Sequence, residues 1–152
     1  MVQYILWSQA QLRLGVTMSN VIYRDAAVAD IPQMLAVWRQ FWAPQRYESN
    51  LERKIRNDPA SVCVAECDGL VVGTVIGGYD GWWAWIYRVA VHPDYQRRGI
   101  GSGLLSEMHR RLAARGAEAA CLIASPANAA MAGLLRRVGY KEKEDRRFSL
   151  VF

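Results

Sequence analysis

Hydrophobic positions along this chain change period several times, and each change marks an element. Val21, Ile22 and Tyr23 form a short β-type run closed by Arg24. Ile31, Met34, Leu35, Trp38, Phe41 and Trp42 then recur at three- and four-residue steps, the spacing of one helix face. Asp30 stands where an N-cap belongs, with Gln33 three residues on as its capping-box partner. Pro32 falls in the first turn, where its missing N–H is harmless, and Pro44 ends the run. A short second helix over 51–56 starts at Asn50 and stops before Pro59. Trp38 and Phe41 are expected in the core. Trp42 and Tyr47 fall where helix gives way to loop, which makes them candidates for lining a pocket.

Residues 61–66 and 70–76 are β-rich, and Asp68-Gly69 between them is a hairpin signal. Residues 77–81, with three glycines, read as a second turn. The next strand is expected to open at Trp82 and run to Val91. Side chains alternate along a strand, so Trp83, Trp85, Tyr87, Val89 and Val91 should share one face and Ile86, Arg88 and Ala90 the other. The aromatic face has two readings: core packing with an aromatic edge, or a wall that holds an amine by apolar contact and cation–π attraction.

A strong helical pattern occupies 99–115, with Ile100, Leu104, Leu105, Met108 and Leu112 as its buried stripe. Arg110, Arg111 and Arg115 are expected on its solvated face, and Gly116 suits the position after its end. Residues 119–124 form a further strand. Ser125-Pro126-Ala127-Asn128 leads into a helix with Met131, Leu134, Leu135 and Val138 inward, stopped by Gly139, and last strands are expected from Tyr140 through 147–152. Strands and helices alternate about one sheet without repeat or linker, which is the α/β or α+β class with a mixed sheet. Residues 18–152 make one domain. Residues 1–17 precede a natural-looking start at Met18 and read as an N-terminal extension; they lack the basic segment of a signal peptide.

Composition narrows the chemistry. Of 152 residues, 52% are hydrophobic and 22% charged, as in soluble globular proteins. Apolar runs fall short of the roughly 20 residues of a membrane span. Cys63, Cys67 and Cys121 are an odd set, and the first two lie about 13 Å apart at strand rise, too far for a bridge. They read as small buried hydrophobes in a reducing, cytoplasmic setting. His92 and His109 have no partners at metal-ligand spacing, so no metal is expected. The net charge of +5 would suit nucleic acid, but no basic block or motif accompanies it. A polyanionic small molecule fits the charge as well.

The candidate for holding that polyanion is Gln96-Arg97-Arg98-Gly99-Ile100-Gly101-Ser102-Gly103. It follows the strand 85–91 through the turn His92-Pro93-Asp94-Tyr95 and opens the long helix. A helix start offers backbone N–H groups without intrahelical partners and the positive end of the dipole. Glycine lets a ligand approach them, and two arginines add charge, so the stretch suits a phosphate or pyrophosphate. Two common nucleotide motifs are excluded. Seven residues separate Val91 from Gly99, and Leu104 occupies the place of a Rossmann third glycine. No Gly-Lys-Ser/Thr is present for a Walker A loop.

Gln96-Arg97-Arg98-Gly99-Ile100-Gly101 resembles the (Q/R)-x-x-G-x-(G/A) signature of the GNAT N-acetyltransferase superfamily. The resemblance extends upstream through Val89-Ala90-Val91-His92-Pro93 and downstream to Asn128 and Val138-Gly139-Tyr140, covering roughly residues 22–152. It implies a GNAT acyl-CoA N-acyltransferase fold, a central mixed sheet flanked by about four helices. It implies acetyl-CoA as cosubstrate and an amine acceptor, with direct transfer in a ternary complex. By the same resemblance, backbone groups of the Val89-Ala90-Val91 segment pair with the pantetheine arm. Amides of Arg97, Arg98, Gly99, Ile100, Gly101 and Ser102, entered from Gln96, hold the pyrophosphate. Asn128 matches an asparagine that contacts the cofactor arm, and is equally an ordinary N-cap. The Val89 N–H matches an oxyanion donor, and the first helical pair borders the acceptor pocket, with Trp42, Tyr47, Trp83 and Trp85 as its candidate walls.

Two departures from the family pattern stand out. Where some members place a glutamate on the central strand, this chain has Trp85, so Asp80, Tyr87 or a water chain is left to take the amine's proton. Where many members have a tyrosine that protonates the thiolate, this chain has Leu135, with Tyr87 and Tyr140 as substitutes. These departures motivate an alternative, a GNAT-fold protein that binds acyl-CoA but is slow or silent. The acceptor, small molecule or peptide, is not legible, and homodimerisation through an edge strand, common in the family, stays open.

Overall fold

The structure is a computed structural model that describes residues 20–143, apart from the side chain of Tyr47. Its elements in order are β1 (Val21–Asp25), α1 (Ile31–Trp38), α2 (Leu51–Asn57), β2 (Val62–Cys67), β3 (Leu70–Tyr79), β4 (Ala84–Val91), α3 (Ile100–Ala114), β5 (Ala120–Leu122) and α4 (Ala129–Arg137). The expected extension at 1–17 and the expected strands at 147–152 lie outside the described residues. The sheet has the order β1-β2-β3-β4-β5. Its first four strands are antiparallel meanders, and β5, reached through α3, pairs parallel with β4. The mixed sheet with helices on both faces is the expected class.

Each face has its own core. On one side the α3 stripe of Ile100, Leu104, Leu105, Met108 and Leu112 is fully buried against Val72, Val75, Ile86 and Val89. On the other, Met34, Val37 and Trp38 of α1 pack with Leu51 and Ile55 of α2 on Val62, Val64, Val71, Ile76 and Ala90. Cys63 and Cys67 are buried within the sheet, as small hydrophobes should be. The β2–β3 hairpin turns at Asp68 and Gly69, both with positive φ (50° and 78°), the backbone that an Asp-Gly pair supplies most readily. No helix among the described residues is long and apolar enough to cross a membrane.

Several local expectations are corrected. Asp30 does not cap α1 through its side chain. Its carboxylate accepts from the Ala27 N–H and pairs with Arg24, while Gln33 reaches across to accept the Val71 N–H. A tertiary partner outcompeted the local box. Helix α1 ends at Trp38, and Phe41, expected in the core, is exposed in the turn beyond it. Gly77, Gly78 and Tyr79 continue β3 instead of turning, and Trp82 and Trp83 precede β4. Gly77 stays in the strand because Met108 of α3 packs onto it where a Cβ would stand. Arg111 is not on a solvated face: it is nearly buried and pairs with Asp25 and Glu107.

The most consequential correction lies in β4. The β3–β4 register runs Ile76↔Tyr87 and then Thr74↔Ala90, so β4 carries one extra residue there. That residue is Arg88, with φ +54°, a bulge that resets the alternation. Ile86 and Val89, expected on opposite faces, both join the α3 core, while Ala90 packs on the α1 side.

Candidate active site

The parallel pairing of β4 and β5 is brief. It covers Ala84↔Ala120, Trp85↔Cys121 and Ile86↔Leu122 and stops. Beyond it β4 continues through Tyr87, Arg88, Val89, Ala90 and Val91, with no strand partner on that side among the described residues. β5 ends where this pairing ends, so from Tyr87 onward that edge of β4 has no strand beside it among the described residues; this open edge is the wedge. An extended ligand arm can lie along such an edge like an added strand.

The wedge leads into the loop before α3. His92 donates its backbone N–H to Val72 O (2.8 Å), and its ring Nδ1 accepts from Asp94 N (3.3 Å). Gln96 Nε2 donates to Val91 O at 3.0 Å, tying the loop to the end of β4. Arg97 (φ +62°) and Gly99 (φ +80°) are left-handed, a sequence that turns successive N–H groups toward one concavity. Gly99 is the N-cap of α3 and brings no side chain to cap it, so the first amides of the helix need partners from outside the helix. Arg98 stacks its guanidinium over Tyr95 at 5.3 Å. The glycines in this loop have separate jobs. A Cβ at Gly99 would meet nothing, one at Gly101 would press on Leu134, and one at Gly103 would collide with the Tyr23 ring. Gly101 and Gly103 thus serve helix packing, which the sequence did not separate from ligand approach.

Asn128 accepts the Met131 N–H with Oδ1 at 2.9 Å, so the N-cap reading holds. Leu135, at the position of the usual tyrosine, is buried in the α3 core. Tyr140 packs against the same core and its hydroxyl meets His109 Nε2 at 2.7 Å. Burial pushes that phenol up to about 12, with the Cys121 thiol adding to the shift.

On the other flank of the wedge is an open groove of about 650 Å³, with Gly78, Asp80, Trp83, Trp85, Tyr87 and Ile123 among its walls. Trp83, Trp85 and Tyr87 are all substantially exposed there, which is unusual for large aromatic side chains unless something covers them. Asp80 Oδ1 accepts from Trp82 N (2.8 Å) and Trp83 N (2.7 Å), and these bonds hold its carboxyl below the usual range. Tyr87 is shifted the other way: burial, reinforced by the charge of Asp58, raises its phenol above 10.0. Tyr47 belongs to the 3-10 turn Arg46–Asn50, and its side chain is outside the description.

Thr74 and Arg88 escaped the sequence reading, and Trp38, buried as expected, joins them. Trp38 Nε1 donates to Thr74 Oγ1, which donates to Arg88 O, each at 2.9 Å. The Arg88 guanidinium stands over the rings of Trp38 (4.8 Å) and Trp42 (4.6 Å). The available signal was a lone threonine inside an apolar β run and a lone arginine inside another, since buried polar groups need partners. Among the described residues no group of His, Cys, Asp and Glu is arranged to hold a metal ion.

Comparison with known proteins places the chain and its fold. The Acetyltransferase (GNAT) family profile matches residues 28–140. An acetyltransferase of Yersinia pestis (strain Pestoides F) is 37% identical over 97 residues, covering 64% of this chain and 69% of the relative. Among solved structures, an aminoglycoside N-acetyltransferase in complex with CoA superposes with TM-score 0.71 at 16% identity, over 88% of this chain and 95% of that one. The ribosomal-protein-S18-alanine N-acetyltransferase of Escherichia coli gives 0.69 at 23% identity, over 82% and 80%. At these identities the structural likeness speaks for the fold, and the profile and the relative speak for the lineage: the chain belongs to the GNAT acetyltransferase family.

Proposed function

We propose that the protein is an acetyl-CoA-dependent N-acetyltransferase that acetylates a primary amine by direct attack in a ternary complex. The observation that carries this reading is the continuity of the wedge past Ile86↔Leu122 with the uncapped start of α3. One end offers a strand edge with no strand beside it among the described residues, suited to a pantetheine arm, the other an amide cradle with Arg97 for a pyrophosphate. The three free cysteines, two of them buried, accord with a cytoplasmic setting.

In this reading the Val89, Ala90 and Val91 backbone holds the cofactor arm, Gln96 shapes the loop, and amides from Arg97 through Ser102 take the phosphates. Asn128, which caps α4, also contacts the arm in this reading. The thioester supplies an activated acetyl group. The amine's lone pair forms the new C–N bond, the C–S bond breaks, and the thiolate leaves with the electron pair. The Val89 N–H steadies the oxygen that gains charge. The Tyr87 phenol is protonated at neutral pH and so has a proton to give the departing thiolate, although the burial that raises it makes it a weaker acid. Asp80 is held ionised, so it serves as counter-charge to the incoming ammonium and relays its proton through water. Trp83, Trp85 and Trp42 line the acceptor's approach.

Thiol release from acetyl-CoA, followed across a panel of amines, tests the proposal. Amine-dependent release supports it. Tight acetyl-CoA binding without release would favour the silent reading, for which the burial of Leu135 is the motivating observation.

A further inference from the structure

The aromatic groove has a direction. At one end are Tyr87, the first β4 residue past the β5 pairing, and Ile123, which follows Leu122, the partner of Ile86. At the other end is Asp80, just beyond Tyr79↔Ala84, the last rung of the β3–β4 pairing. Three rungs separate Ile76↔Tyr87 from Tyr79↔Ala84, so Asp80 stands roughly 10–13 Å along the strand from Tyr87. Trp85 and Tyr87 share one face of β4, being two residues apart ahead of the bulge. Trp83 lines the same groove on the way to Asp80. Gly78, the register partner of Trp85, has open space where a Cβ would be, so the floor between the two ends is clear.

The charge of the groove is one-sided. Among its described lining residues Asp80 alone is charged. The Trp82 and Trp83 N–H groups hold its Oδ1 at 2.8 and 2.7 Å, and a carboxylate has capacity for a further donor beside them. Asp58, whose charge reaches Tyr87, is taken up by Lys54 and Arg115 at 3.5 and 3.1 Å. Aromatic faces attract cations as well as apolar chains. An amine reacting beside Val89 is too far from Asp80 to touch it, so its proton reaches that carboxylate only through water. A second ammonium on the same molecule, a groove's length away, meets it directly.

Resting on the transferase reading above, we infer that the acceptor is a long diamine, an apolar chain with an ammonium at each end. The far ammonium meets Asp80, the chain lies over Trp83 and Trp85, and the near amine is acetylated beside Tyr87 and Val89. The near ammonium sheds two protons, one to water and one that ends on the thiol of CoA, as the acetyl carbon passes from sulfur to nitrogen. The far ammonium keeps its protons, and the product is the mono-acetyl diamine. A short diamine does not span the groove, and a monoamine brings no cation to Asp80.

The test uses tryptophan emission of the full-length protein, since Trp83 and Trp85 line the groove. Octamethylenediamine, tetramethylenediamine and octylamine are titrated with and without CoA. The long diamine should bind about fivefold or more tightly than either of the others, the scale of one exposed ion pair with cation–π support. Asp80→Asn keeps an oxygen for the Trp82 and Trp83 N–H groups and should bring octamethylenediamine within about twofold of octylamine. Gly78→Val fills the open floor and should weaken both long amines; no change there would overturn the placement of the chain. Under turnover the same order should appear in KM. Equal binding of octamethylenediamine and octylamine by the wild type would overturn the inference, whether or not the variants fold. A preference for the long diamine that survives in Asp80→Asn would overturn it too, because the far cation would then be held elsewhere. Emission read without CoA separates these failures from failure of the transferase reading, which would instead appear as no acetyl-CoA binding.

Discussion

The hydroxyl of Thr74 donates to the carbonyl oxygen of Arg88 at 2.9 Å. That bond fastens a left-handed arginine in the middle of an eight-residue strand, next to the residue proposed to steady the developing oxyanion. Thr74 is fully buried and also accepts the Trp38 indole N–H. Thr74→Val keeps the shape and leaves two buried polar groups unpaired, which costs roughly 1–3 kcal/mol per group. Chemical denaturation should show a loss in that range. Turnover should fall in addition at temperatures where the variant is still folded, because the bulge is no longer pinned. A stable variant with normal kcat would mean that the bulge holds itself.

Gly103 has a different kind of necessity. The Tyr23 ring of β1 occupies the space where its Cβ would be. Gly103→Ala overpacks that contact, and about 1–3 kcal/mol of stability should be lost. Affinity for acetyl-CoA should change little once folding is corrected for. Gly99→Ala is the converse. Its Cβ would have open space, but φ is +80°, so the strain of roughly 1–2 kcal/mol falls on the loop itself and should weaken acetyl-CoA binding directly.

Tyr87→Phe tests the acid. Burial and Asp58 raise the Tyr87 phenol above 10.0, so the proton it would donate is present throughout the neutral range. The variant should lose kcat by about tenfold to a hundredfold with little change in KM for acetyl-CoA. The wild-type kcat should show no loss from Tyr87 ionisation through the neutral range. Unchanged kcat in Tyr87→Phe would hand the role to water.

Stability in acid has its own signature. Glu107 bonds Arg110 and Arg111, in that order of effect, and its carboxyl is lowered from 4.5 to about 2. A depressed carboxyl stabilises the fold above its unfolded pKa, and that stability drains as pH falls from about 4.5 toward 2. Glu107→Gln should therefore be less stable than the wild type at pH 7 and lose less between pH 5 and 3 when unfolding midpoints are compared. Parallel pH curves would show that the ion pairs are too solvated to matter.

Much of this architecture was legible because period and punctuation agreed. The α3 stripe, the Asp68-Gly69 turn and the Asn128 cap each follow from local rules, and each formed as expected. What escaped is tertiary. Gln33 left its capping box for the Val71 amide across the sheet. Gly77, which looks like a turn residue, is a strand residue making room for Met108. The bulge at Arg88 has no glycine to announce it, so strict alternation put Val89 on the wrong face. In the site, the loop and the role of the Val89-Ala90-Val91 segment could be expected from the motif, whereas the Trp38–Thr74–Arg88 chain needed three elements to meet.

The central claim is that the wedge and its loop are an acetyl-CoA site. A calorimetric titration of the full chain with acetyl-CoA, with ATP and NADH titrated in parallel, tests it most directly. The account predicts saturable binding of acetyl-CoA at micromolar concentrations, weakened in Gly99→Ala, and little heat from the other two. A folded protein that shows no acetyl-CoA binding, or binds all three alike, would contradict it.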